Sequence, residues 1–94
     1  MKTIWKYELE ITDAQTLEIP TGFQILSSQF QNGILCLWAI VDPSEPKEGV
    51  TIEVIGTGNP MPDVAGNRKY IGTAQMCGGR LVWHVFVLAC HQKT

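Results

Sequence analysis

Charge is what this chain has least of. Charged side chains make up 17% of its 94 residues, against roughly 25% in ordinary soluble domains. Seven basic and nine acidic side chains leave a formal net charge of −2. That shortage excludes bulk duplex nucleic acid as a partner, because such binding needs a basic face against the phosphates. A small anionic ligand at a local cluster stays compatible with it. Long hydrophobic runs are missing too. The longest uncharged apolar stretch, residues 34–41, is far short of the ~20 residues of a membrane-spanning helix, so no membrane partner is expected. Cysteines are few and odd in number: Cys36, Cys77 and Cys90. They do not form the even disulfide set of a small secreted domain. Charges interrupt every apolar stretch near the N-terminus, which leaves no export signal. The expected compartment is the reducing cytoplasm. Two histidines among three scattered cysteines have no zinc-ligand spacing, so neither a metal nor a cofactor is expected.

What the chain does have is apolar residues, 45% of the total, cut by two turn signals. Asn32-Gly33 separates residues 23–31 from 34–42, and Gly78-Gly79 separates residues 69–77 from 80–88. Both dipeptides tolerate positive φ at the two turn positions of a tight hairpin. The first hairpin is expected to pair Phe30 with Leu35, Ser28 with Leu37 and Leu26 with Ala39, with Ser27–Trp38 and Ile25–Ile40 on the other face. In the second, Met76–Leu81, Ala74–Trp83, Gly72–Val85 and Tyr70–Val87 share one face. Gln75–Val82, Thr73–His84, Ile71–Phe86 and Lys69–Leu88 share the other.

Elsewhere, Trp5, Tyr7, Leu9 and Ile11 alternate with Lys6, Glu8 and Glu10, the period of a half-buried strand. Leu17 and Ile19 make a short second strand, and residues 50–55 a further one with Val50, Ile52 and Val54 inward. The prolines of residues 42–49 read as a polar loop, and the glycines and prolines of residues 56–68 as a long irregular one. No stretch has a convincing helical period. Residues 1–94 are therefore read as a single β domain: a small β-sandwich or partly open barrel of six to seven mostly antiparallel strands. Low charge and three tryptophans on so small a domain point to a homo-oligomer.

Candidate chemistry is sparse. Gly56-Thr57-Gly58-Asn59 resembles an anion-binding nest, although it lacks the lysine of a phosphate loop; a turn that merely needs positive φ fits it as well. Arg68-Lys69-Tyr70 is the one local basic cluster. Arg68 and Tyr70 fall on the same strand face, so a guanidinium fork beside an aromatic ring suits phosphate plus base. An exposed strand end kept soluble by charge is the plainer reading. His84 lies in an apolar strand opposite Thr73, a setting more common for a structural histidine than for a ligand or base. Asp42 and Glu53 read as solvated loop charges. No catalytic set is visible, and a non-enzymatic protein is expected.

Several segments together resemble a known family. They are the opening MKTIWKYEL, Gln29–Gly33 with Leu35–Ala39, Val41-Asp42-Pro43, Gly56-Thr57-Gly58, Arg68–Thr73 and Leu81–Phe86. The family consists of small proteins that share a domain of unknown function and are common in phage and prophage genomes. As a class, small oligomeric phage proteins of this kind resemble counter-defence proteins that sequester nucleotide immune signals, such as cyclic oligonucleotides or ADP-ribose derivatives. The resemblance implies a homo-oligomer that captures a small phosphate-bearing nucleotide. In that reading Arg68 and Lys69 hold phosphate, Tyr70 stacks on a base, and Thr57, Asn59, Thr73 and His84 add hydrogen bonds. A module that binds and inhibits a host protein through strand edges or an aromatic patch is the alternative.

Overall fold

In a computed structural model, residues 1–63 and 66–88 are described. Seven strands follow one another: β1 (Thr3–Glu8), β2 (Gln15–Pro20), β3 (Gln24–Gln31), β4 (Ile34–Val41), β5 (Lys47–Gly56), β6 (Arg68–Met76) and β7 (Leu81–Leu88). They form a three-stranded sheet ordered β1-β4-β3 and a four-stranded sheet ordered β2-β5-β7-β6, antiparallel throughout. The architecture is the all-β sandwich that the alternation predicts, and not a closed barrel. Strand β5 starts at Lys47, inside what reads from sequence as a loop, because β2 supplies partners from Pro20↔Lys47 onward.

The core lies between the sheets. Leu35, Leu37, Ala39 and Val41 of β4 face Val50, Ile52 and Val54 of β5, Val85 and Val87 of β7, and Ala74 of β6. Each set is spaced two apart, so alternate residues point away from the core. Trp5, Tyr7 and Trp83 pack against this core, while Trp38 occupies the outer side of β4. Among the described residues, Tyr7 Oη and Trp83 Nε1 are buried without a hydrogen-bond partner, and burial pushes the Tyr7 phenol above its usual value. Ile11 does not continue β1; it sits in a bend and is exposed.

The first turn signal acts as read, whereas at the second the strands stop at Met76 and resume at Leu81, with Cys77–Gly79 in a 3-10 turn and Cys77 itself at φ 55°. Asn32 and Gly33 have φ of 54° and 81°, and Gly78 and Gly79 have 67° and 89°. Strand registers next to the turns also match expectation, but each hairpin slips once further out. In β3 the register shifts between Ile25 and Ser27, pairing Ile25 with Ala39. Ile25 therefore turns inward, and Leu26 is left 43% exposed. In β6 the shift falls between Tyr70 and Gly72, so Tyr70 pairs with Phe86 and Lys69 with Val87. Two inserted residues, Leu26 and Ile71, are thus β-bulges, each reversing the facing of the strand beyond it.

Candidate functional site

The bulge at Ile71 builds the site. Tyr70 and Thr73 are three residues apart, and in an unbroken strand they would face opposite sides. With Ile71 packed on the core and Gly72 opposite Val85, Tyr70 and Thr73 both point outward from the four-stranded sheet. The outer face carries two rows across β5, β7 and β6. One is Glu53–Phe86–Tyr70 and the other is Ile55–His84–Thr73.

A chain of hydrogen bonds runs from Tyr70 of the first row through Thr73 and His84 of the second to Thr57. Tyr70 Oη and Thr73 Oγ1 are 2.5 Å apart, either donating. Thr73 Oγ1 lies 3.0 Å from His84 Nδ1, and His84 Nε2 lies 2.7 Å from Thr57 Oγ1. Thr57 follows β5 directly, and its backbone N–H donates to the Val82 carbonyl at 3.1 Å, fixing it beside β7. Thr57, Tyr70 and Thr73 are exposed residues, and His84 is half-buried. Tyr70 sets its ring edgewise on Phe86, centroids 5.7 Å apart at 61°.

Four of the seven residues named from sequence, Thr57, Tyr70, Thr73 and His84, are thus connected. The other three are placed differently. Arg68 does share the Tyr70 face, with its guanidinium 5.8 Å from the Phe86 ring, but the fork is committed. Nε and Nη2 donate to Glu53 Oε1 and Oε2 at 2.5 and 3.1 Å, and Nη2 also to the Pro62 carbonyl at 2.6 Å. The Glu53 hydrogen bonds hold Arg68 above its usual range. Glu53 itself is 1% exposed, so it is a buried counter-ion and not a solvated loop charge. A fork that neutralises a buried carboxylate is a poor phosphate grip. Lys69, opposite Val87, leaves the edge strand on the other side. Asn59 closes a turn with its N–H on the Gly56 carbonyl at 3.0 Å, and its amide lies over Gly56, beside the chain and not in it.

Glu53 is the residue that sequence reasoning misjudged. Its signal was parity: it alternates with Ile52 and Val54 in an apolar strand, where a lone carboxylate requires a partner. Among the described residues, no group of three or more His, Cys, Asp or Glu is placed to hold a metal. Cys36 is buried and Cys77 exposed, both as free thiols; Cys90 and His91 lie outside the described residues. No described helix is long and apolar enough to cross a membrane.

The fold and the site together define a small antiparallel β-sandwich with a hydroxyl–imidazole chain on the outer face of one sheet. Over residues 1–94 the chain matches the family described as a domain of unknown function, DUF7352, and it belongs to that family. No curated protein and no solved structure is similar to it.

Proposed function

We propose that this protein is a non-enzymatic binding protein that captures a nucleotide-type small molecule on the outer face of the four-stranded sheet. The observation that carries this reading is the continuous chain Tyr70–Thr73–His84–Thr57, three of whose members are exposed. Tyr70 offers a ring for a base to stack on, worth ~1–3 kcal/mol in single-strand binders. Thr57 and the neighbouring Gly58, at φ 91°, offer a hydroxyl and a backbone N–H to phosphate or ribose oxygens. The proposed biological role is counter-defence: a phage-encoded homo-oligomer in the host cytoplasm that sequesters a cyclic oligonucleotide or ADP-ribose signal. Class resemblance alone supports that finer step.

A second reading is favoured by a different surface. Ile4 (56%), Leu26 (43%) and Ile34 (42%) are exposed on or beside the outer side of the three-stranded sheet. Ile4, Leu26 and Trp38 line one groove there. Such a patch suits a protein partner, either a host target or another copy of the chain. Calorimetric titration with cyclic dinucleotides, cyclic trinucleotides and ADP-ribose isomers separates the two. Heat from at least one of them supports capture of a nucleotide. No heat from any, with the protein folded, leaves the apolar patch and a protein partner as the function.

A further inference from the structure

A nucleotide phosphate needs positive charge, and this face has almost none to spare. Arg68 is neutralised by Glu53, and Lys69 leaves the strand on the other side. Thr57, Thr73 and Tyr70 are neutral. Among the described residues, His84 is the group on this face that can become a cation without breaking an ion pair.

The proton count of the chain leads to the same residue. With neutral imidazole, the three hydroxyls and the one ring N–H hold four protons for three hydrogen bonds, so one proton remains to point outward. If Thr57 donates to a ligand, the order is forced: Tyr70 donates to Thr73, Thr73 to His84 Nδ1, and His84 Nε2–H to Thr57. Tyr70 is then left only as an outward acceptor. With imidazolium there are five protons, both ring nitrogens donate, and both ends of the chain donate outward. An anion at Thr57 therefore favours Nε2–H, and favours the doubly protonated ring more.

We propose that the Thr57 end of this chain is a phosphate-binding position whose counter-charge is the His84 imidazolium, so that binding the anion takes up a proton. This rests on the nucleotide-capture reading and names the part of the ligand that Thr57 meets. The charged and titratable groups around His84 are consistent with it. On β5, Glu53 occupies the neighbouring row, already paired with β6's Arg68. On β6, Tyr70 is reached through Thr73, and in the loop after β5, Asp63 acts on Arg68. The partners of the two His84 ring nitrogens, Thr57 and Thr73, are neutral hydroxyls. A phosphate close to Thr57 Oγ1 adds the missing negative charge and raises the histidine pKa.

The test compares adenosine 5′-monophosphate with adenosine by calorimetry in buffers of different ionisation enthalpy. The nucleotide is expected to bind with a net uptake of protons, up to one per site. Its affinity should fall as pH rises, with a limiting slope of about tenfold per pH unit, that of a one-proton linkage. Adenosine should show neither effect. His84→Gln, which keeps a donor and an acceptor but no titration, should abolish the proton uptake and the pH dependence above the phosphate's own second ionisation, at pH ~6. Nucleotide binding without proton uptake overturns this inference and leaves nucleotide capture standing. If neither compound binds, nucleotide capture is in trouble, and the phosphate position is decided separately. The His84 ring is then titrated by NMR in phosphate and in chloride at equal ionic strength, with His84→Gln assigning the resonance. An upward displacement of its midpoint in phosphate supports the position; coincident curves overturn it.

Discussion

At the scale of single residues, two carboxylates that look alike in sequence behave in opposite ways. Asp42 stays at the surface and accepts from the Ser44 hydroxyl at 2.6 Å and the Ser44 N–H at 3.0 Å. Those bonds, the hydroxyl first, hold its carboxyl below the ordinary 3.8. A lowered folded-state value stabilises the fold above the ordinary value and is lost as pH falls through the lower one. An NMR titration should therefore find the Asp42 midpoint below 3.8, and Ser44→Ala should move it back up. Glu53, by contrast, is buried against Arg68. Arg68's raised value means that its own contribution is lost only as pH rises through the arginine range, well above working conditions. Arg68→Ala strands the buried carboxylate, a loss of several kcal/mol. The melting temperature should drop by roughly 10 °C or more, given ~4–8 °C per kcal/mol in a domain of this size. An unchanged melting temperature would mean that Arg68 is a free surface cation after all. Sequence alone made Arg68 the ligand grip because its partner, fifteen positions earlier, is brought beside it only by the β5-β7-β6 pairing.

Among the strands, turn chemistry was legible and bulges were not. Positive φ at Asn32-Gly33 and Gly78-Gly79 is written in the residue types, so both registers near the turns could be read. Nothing local marks Leu26 or Ile71 as inserted residues. Their bulges follow from which side chains fit the core, Ile25 in one strand and Ile71 with Gly72 in the other. Residues 70, 73 and 84 are all candidates from sequence, yet the unbulged register puts Tyr70 on the face opposite Thr73 and His84. The contact that joins them is therefore a product of tertiary packing. Two glycines give a measurable contrast. A Cβ on Gly56 would come within 2.9 Å of Trp83 Cζ3 and Asn59 Nδ2, whereas one on Gly72 would meet Ser28 O at an ordinary 3.6 Å. Gly56→Ala is expected to destabilise by about 1–3 kcal/mol, the usual range for overpacking. Gly72→Ala should lie within about 0.5 kcal/mol of wild type. Denaturant unfolding of both variants measures this, and equal stabilities would contradict the described packing of Trp83 over Gly56.

For the whole molecule, the two sheets divide the labour. Their inner faces make one core, the outer face of the four-stranded sheet carries the polar chain, and the outer face of the three-stranded sheet carries exposed apolar side chains. The all-β class could be read from period-two alternation, because each strand had to bury one face, whereas the choice between a sandwich and a partly open barrel could not. The division between outer faces could not, because it depends on strand order across the sheets. A homo-oligomer formed through the apolar face predicts a dimer or larger by light scattering at micromolar concentration. Leu26→Lys should shift it toward monomer without unfolding it. A monomeric wild type would remove that face as a self-contact. The central claim is that nucleotide capture occurs at the Tyr70–Thr73–His84–Thr57 chain. NMR shift mapping with the tightest-binding compound from the nucleotide panel tests it most directly. Perturbations are expected at Thr57, Gly58, Tyr70, Thr73, His84 and Phe86, with their loss in Thr73→Val. Perturbations centred instead on Ile4, Leu26 and Trp38 would contradict the claim.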